Sequence, residues 1–357
     1  KSTTPTVCGT RQLFNSLPLI FNLLIFAVLA IIIWTAGTRL SYFIDAIAEQ
    51  TKIARAFLGL ILLAVATELP EFVTTLTASS TGKGSLALNN MFGGMMLQLA
   101  VLAIADIFVK SGTLSSKLHK PTVAIAGLLC ITSLSAVLII KTIRDPAIAL
   151  HIGAGSMLVT VLYIISMYIL YRSQGRETWS PVDLPEDQIA ESERKNRFDT
   201  LSLSRLIFYV AIAGLAILLC GVLLVRLGDT LAAQTGLGTS FVGASLLALT
   251  TSLPELSTSI AAVRVKAYTM AISNVFGSNM IMTFLLFPND LVFTDGPIIN
   301  VMDPSAIFAV GAGIFMTAIY CIGLLARPKI KTMGMGVDSL TVLSCYFAGL
   351  FALYLLR

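Results

Sequence analysis

The chain has 357 residues, of which 56% are hydrophobic and only 12% charged, with a mean hydropathy of +0.87. That is more apolar side chain than a soluble core of this size buries, so its solvent is lipid. The net charge of +5 comes from basic residues in the loops between apolar runs, which fits membrane orientation and excludes nucleic acid as a partner.

About 20 apolar residues span a bilayer as a helix. Ten runs of that kind are predicted, at 17–38, 56–80, 85–109, 122–140 and 148–171, then at 206–225, 238–263, 268–291, 305–325 and 339–356. The fold expected is therefore an all-α membrane protein with ten transmembrane helices. Cys130, Cys220, Cys321 and Cys345 fall in these runs and Cys8 stands alone near the start, a pattern of packing residues with neither a disulfide framework nor a metal-ligand spacing.

Loops after the odd-numbered spans carry 17 of the 24 Lys and Arg residues. The positive-inside rule then places both termini outside and the 172–204 loop in the cytoplasm, with the cytoplasmic membrane as the expected location. This loop has an acidic part (Asp183, Glu186, Asp187, Glu191, Glu193) and a basic part (Arg194, Lys195, Arg197), and reads as a solvated linker.

The second half repeats the first. A shift of 184 residues aligns Ala64–Glu71 with Ala248–Glu255 and continues without a gap to Asp106 and Asp290, with 14 of 43 positions identical. The shift divides the chain into a first five-helix repeat (1–171), the linker (172–204) and a second five-helix repeat (205–357). Five is odd, so the second repeat enters the membrane from the opposite side. Inverted repeats of this kind form inward-facing and outward-facing states around one central site.

Intramembrane acids are functional candidates because a carboxylate in lipid costs several kcal/mol unless it meets a partner or a polar cavity. Glu68, Glu71 and Glu255 are such acids, and no Lys, Arg or His shares their spans. A bound cation is the simplest partner. Thr67, Glu68, Glu71 and Thr75 share a helix face, as do Thr251, Ser252, Glu255 and Ser259. Pro70 and Pro254 interrupt the backbone ladder and free carbonyl oxygens one turn upstream. Carboxylates, carbonyls and amides suit a hard cation such as calcium, whereas a transition metal would call for His or Cys.

The following spans add Asn89, Asn90, Gln98, Ser273, Asn274, Ser278 and Asn279, with Gly93, Gly94 and Gly277 permitting close helix approach. Asp106 and Asp290 match across the repeat but lie near span ends and read as interfacial. His119 and His151 are expected to be solvated.

Thr251–Glu255 (Thr-Ser-Leu-Pro-Glu) followed by Asn274–Asn279 (Asn-Val-Phe-Gly-Ser-Asn) resembles an alpha-repeat of the calcium/cation antiporter superfamily, whose best-known members are sodium/calcium exchangers. The resemblance is strongest over 248–290 and good over 64–93. It implies that Glu71 and Glu255 bind calcium and sodium in alternation, that Thr67 and Thr251 supply backbone oxygens, and that Asn90 and Asn274 complete the site. Ser252, Ser278 and Asn279 keep the family pattern. In the first repeat, however, Glu68 replaces the expected Ser or Thr, and Gly94-Met95 replace Ser-Asn, which puts sodium sites built from those groups in doubt.

The metal-site residues expected are thus Glu71, Glu255, Thr67, Thr251, Glu68, Ser252, Asn90, Asn274, Ser278 and Asn279. The function expected is antiport of calcium for sodium or protons, without a cofactor, the partners being inorganic cations and the lipid bilayer. A channel or uniporter using the same acids is the alternative. No His-Glu-x-x-His motif, catalytic Ser/His pairing or phosphate loop supports an intramembrane enzyme.

Overall fold

A computed structural model describes residues 14–51, 68–117, 121–173, 201–264, 266 and 268–356. Thr67, Cys8, His119 and most of the 172–204 linker therefore lie outside the described residues. Within them the chain is almost wholly helical. The first repeat contributes α1 (Leu19–Thr51), α2 (Leu69–Ser80), α3 (Gly84–Asp106), α4 (Pro121–Ile143) and α5 (Ala154–Ser173). The second contributes α6 (Leu203–Thr235), α7 (Thr239–Thr251), α8 (Leu253–Arg264), α9 (Tyr268–Phe284), α10 (Leu286–Val292), α11 (Pro304–Ala326) and α12 (Val337–Leu355). Two hairpins, β1 (Ala147–Ala149) with β2 (Ile152–Gly153) and β3 (Lys331–Thr332) with β4 (Met335–Gly336), lead into α5 and α12.

Eight spans among the described residues are long and apolar enough to cross a membrane, and α7 with α8, bent by 46°, forms a ninth. Only α2 of the predicted 56–80 span is described, so the count of ten is not reached within these residues.

The helix limits carry the repeat. Shifting α1 by 184 gives the limits of α6, and shifting α2 gives those of α8, while α4 and α5 match α11 and α12 at a shift of 183. α1 and α6 outrun their predicted spans by 13 (51 − 38) and 10 (235 − 225) residues at the C-terminal end. Hydropathy marks only the part of a helix that faces lipid, and neither Pro nor an adverse turn stops these helices where polarity begins. Each is about 50 Å long, well beyond the roughly 30 Å of hydrocarbon it must cross.

The interior is built on α3, which is buried on nearly all sides by α2, α7, α8, α9, α11 and α12. α1 and α6 pack lengthwise against each other and reach the body of the molecule through α2 and α8. Their outward faces carry Ile20, Phe21, Leu24, Ile207, Phe208 and Leu215, all exposed, as do the outer faces of α5 and α12. Large apolar faces of this kind are at equilibrium only against lipid.

Close backbone approaches are set by small residues. A Cβ on Gly37 of α1 would lie 2.6 Å from Pro254 and 3.9 Å from Pro70, so α1 lies against both helix breaks. The counterpart of Gly37 at the 184-residue shift, Gly221 of α6, abuts Val73 of α2, where a Cβ would lie 2.7 Å away.

Candidate cation site

The bend between α7 and α8 places the second-repeat residues. A π-helical turn at Gly243–Leu247 precedes it, and Pro254, with no N–H, removes a rung of the ladder. The Thr250 and Thr251 hydroxyls turn back onto the carbonyls of Leu246 and Leu247, at 2.9 and 3.0 Å. Ser252 is the pivot residue between the helices. In the first repeat Glu68 stands at the N-terminal boundary of α2, with Pro70 in its first turn and Glu71 inside it.

Three carboxyl groups are fully buried here, those of Glu68, Glu71 and Glu255. Glu71 Oε1 accepts from Ser252 Oγ at 3.0 Å, a bond joining the two repeats at their breaks. Thr251 also faces Glu71. Glu68 Oε1 accepts from Gln98 Nε2 at 2.9 Å, and Ser278 and Glu71 face the same carboxylate. Asn90 Nδ2 donates to Thr74 Oγ1 at 3.0 Å, which anchors α3 to α2.

Thr251, Ser252, Asn90, Asn274, Ser278 and Asn279, all predicted, are buried; Thr251 and Ser252 face Glu71 and Ser278 faces Glu68. Thr67 cannot be placed. Gly93 performs the expected close approach, since a Cβ there would lie 2.5 Å from the backbone of Ala244 in α7. No described residue lies within 4 Å of a Cβ on Gly277.

The departures in the first repeat fall together in space. Gly94 lies opposite Ser252, where a Cβ would be 3.8 Å from Oγ and 2.9 Å from the methyl of Met282. Its counterpart Ser278 faces Glu68, the counterpart of Ser252. Gln98, the counterpart of Met282, also serves Glu68. One flank of the site is therefore acid, amide and hydroxyl, and the other is glycine, serine and thioether.

Neither Glu68 nor Glu71 pairs with a basic residue among the described residues. Glu68 Oε2, Glu71 Oε2, Asn90 Oδ1, Gln98 Oε1 and Asn279 Oδ1 are buried and take no hydrogen bond. Burying such acceptors costs free energy unless something positive meets them. These acceptors are all oxygen and carry formal negative charge, which fits a hard cation, while Asn274 adds a buried, unpartnered Nδ2. Among the described residues no group of three or more His, Cys, Asp or Glu side chains is close enough to share one metal ion. Neutral oxygens of the set would complete any coordination.

Asp106 and Asp290, expected at the interface, are fully buried. The physical reason is that each satisfies backbone amides of loops folded over it. Asp106 accepts from Leu114 N and Gly336 N, both at 2.6 Å. Asp290 accepts from Ile298 N at 2.6 Å, Gly153 N at 2.7 Å and Ser156 Oγ at 2.5 Å. His151 reaches the carbonyl of Leu291 at 3.0 Å from an exposed position. Sequence reasoning missed Asp303, which caps α11 through Ala306 N and gathers Ser85, Asn89 and Ser240 from the starts of α3 and α7. An Asp directly before Pro304 is a helix-cap signal that could have found it.

The family model described as sodium/calcium exchanger protein matches residues 21–172 and again 205–356, two stretches whose starts and ends are each 184 apart (205 − 21 and 356 − 172). The chain is similar to CaxA of Alkalimonas amylolytica, at 25% identity over 264 residues, covering 73% of this chain and 77% of that protein. It is also similar to the inner membrane protein YrbG of Escherichia coli K12, at 22% identity, covering 87% and 90% of the two chains. Among solved structures, the H+/Ca2+ exchanger CAX matches with a TM-score of 0.67 at 14% identity, over 94% of this chain and 85% of that one. The sodium-calcium exchanger NCX_Mj matches at 0.60 and 16%, over 94% and 99%. These two share the fold.

Proposed function

We propose that this chain, which belongs to the sodium/calcium exchanger protein family, exchanges calcium or a similar divalent cation for sodium or protons by alternating access at Glu71 and Glu255. Members of the family are membrane transporters and not enzymes. The observation that supports the reading is the bond from Ser252 to Glu71, which joins the breaks of the two repeats beside the buried carboxyl of Glu68, with the buried Glu255 three residues beyond Ser252.

In this reading the fold is ten helices in two inverted five-helix repeats, 1–171 and 205–357. The protein lies in the plasma membrane with both termini outside, and 172–204 is a cytoplasmic linker. Glu71, Glu255 and Glu68 supply charge. Thr67 and Thr251 supply backbone oxygens, and Ser252, Asn90, Asn274, Ser278 and Asn279 supply neutral donors. The doubly charged empty site is too costly to cross between states, so exchange is coupled. The proton-coupled CAX and the sodium-coupled NCX_Mj share this fold, so likeness leaves both counter-ions open for this chain.

Reconstituted vesicles loaded with radioactive calcium test the reading. Efflux should require an imposed sodium or proton gradient and should be lost in Glu71→Gln and Glu255→Gln. Efflux that needs no counter-ion would make the protein a channel, and normal exchange in both variants would remove these glutamates from the site.

A further inference from the structure

The junction around Asp106 and the junction around Asp290 are built on one plan. In each, an aspartate at the end of a core span holds a following loop and the glycine of the opposite repeat's hairpin. At the 183-residue shift, Val137, Gly155 and Ser156 of the Asp290 junction correspond to Tyr320, Asp338 and Ser339 of the Asp106 junction.

Each junction has polar groups that the other lacks: the Asp290 junction has a second buried carboxylate, Asp145, where the same shift gives Pro328, and the Asp106 junction has Tyr320 and Asp338 where the other has Val137 and Gly155. Ser156 donates to Asp290, so its hydroxyl is used. Ser339, at the matching position, has a fully buried Oγ with no hydrogen-bond partner. Tyr320 puts a hydroxyl beside Asp106 and Asp338 where Val137 has only methyl groups, and that hydroxyl is also buried and unpartnered. Asp338 is only 7% exposed, and its carboxylate is faced by the Ser115 hydroxyl, the Ser339 N–H and the carboxylate of Asp106. Its placement is built in, because a Cβ on Gly323 or Gly336 would collide with the carboxylate.

Two unpartnered buried hydroxyls beside two buried carboxylates are an expensive arrangement unless a cation meets them. Among the described residues neither aspartate makes an ion pair, and Arg327 and Lys331 are engaged elsewhere, on the carbonyls of Ser116 at 2.7 Å and Val109 at 2.5 Å. Thiolate and imidazole are missing from the set, and oxygen-only donors with paired carboxylates select a hard cation.

We propose that this junction is a second cation site, separate from the transport site, in which Asp338 and Asp106 hold one calcium or sodium ion with the hydroxyls of Tyr320 and Ser339. It ties the end of α3, on which the interior is built, to the end of α11 and the start of α12, none of which carries the transport glutamates.

The test uses the purified full chain carrying Glu71→Gln and Glu255→Gln, which disables the transport site, with thermal unfolding and radioactive calcium binding measured across calcium chloride and sodium chloride series. The expected result is a saturable rise in Tm with one of the two ions. Asp338→Asn should abolish it, and Tyr320→Phe should weaken the apparent Kd by about tenfold, the scale of losing one supporting ligand. If Asp338→Asn does not fold, Tyr320→Phe decides. Curves for Tyr320→Phe that superimpose on the parent, or a parent that responds to neither ion, would overturn the site. Vesicle transport of the otherwise unaltered chain is scored separately, so failure here leaves the proposed exchange standing and failure of exchange leaves this site standing.

Discussion

Asp106, the last residue of α3, accepts the backbone N–H of Gly336 at the entrance to α12, 2.6 Å away and 230 residues on in the chain. Asp290 does the same for Gly153, at 2.7 Å. Each repeat thus supplies the carboxylate that holds the other repeat's last helix, and the two halves are fastened crosswise. In Asp106→Asn one of the two accepting oxygens becomes an NH2 group facing an amide donor. The variant should lose about 1–3 kcal/mol, the cost of a buried polar group left unmatched. Thermal unfolding in detergent checks this, and a Tm unchanged from the parent would show the latch to be dispensable.

Much of this arrangement was legible in the sequence. Composition gave lipid as solvent, the 184-residue shift found the pairing of helices, and Pro254 announced the bend that separates α7 from α8. Hydropathy could not find the ends of α1 and α6, because it senses contact with lipid and not continuation of a helix. It put Asp106 and Asp290 near span ends, where they lie, but could not foresee their burial, since a one-dimensional reading cannot see loop amides that return to cover a carboxylate. The pairing of Glu68 with Gln98 was hidden for a similar reason. Thirty residues separate them, and only the packing of α3 against α2 makes the amide a partner of the acid.

That pairing predicts a selective effect of Gln98. Gln98→Met copies the residue at the matching position, Met282, and removes the donor that orients Glu68. The fold should survive, because Met is flexible and similar in length. Apparent affinity for calcium should fall by about tenfold, in line with loss of a supporting hydrogen bond at a metal ligand. Initial rates of calcium uptake against calcium concentration measure it. A changed maximal rate at unchanged affinity would place Gln98 outside the site.

Gly93 is a packing requirement of a stricter kind. In Gly93→Ala the new methyl group would sit 2.5 Å from Cα and the carbonyl oxygen of Ala244, and backbone cannot rotate aside as a side chain can. Overpacking should cost about 1–3 kcal/mol or force α7 away from α3. Gly214→Ala is the control, its nearest described neighbour being Leu69 at 3.9 Å. The prediction is lower Tm and lower transport for the first variant and little change for the second.

Two aspartates outside the spans should respond to acid with opposite signs. Burial pushes the Asp303 carboxyl up, but hydrogen bonds from Ser240, Ser85, the Ala306 amide and Asn89 outweigh it and hold the group below its usual range. Its stabilising contribution is present above the unfolded pKa and lost as pH falls through the lower folded pKa. Asp145 is pushed up by burial and by Asp290 despite a hydrogen bond from the Gly155 amide. Its contribution is fully present below the unfolded pKa and lost as pH rises through the higher folded one. At neutral pH Asp303→Asn should therefore lower Tm, whereas Asp145→Asn, which keeps an acceptor for Gly155, should leave it unchanged or raise it. The difference should shrink toward acid, and equal losses in both variants at neutral pH would contradict these signs.

Lys83, in the turn between α2 and α3, pairs with Asp229 near the end of α6. The acid is 8% exposed and the lysine 27%, so the pair is shielded mainly on the carboxylate side. Removing the lysine alone strands a buried negative charge, whereas removing both charges strands nothing. The single variant Lys83→Met should therefore cost more than the double variant Lys83→Met/Asp229→Leu, following the general behaviour of buried pairs. A loss of about 3 kcal/mol would be the upper bound for the single change, with partial solvent access reducing it. Because the pair joins the long α6 to the turn that starts α3, the same variants should be read in vesicle transport as well as in Tm. A double-mutant cycle with no coupling in either readout would mean that solvent screens the contact; coupling in transport alone would make it a tether between α6 and the core that the transport cycle must break.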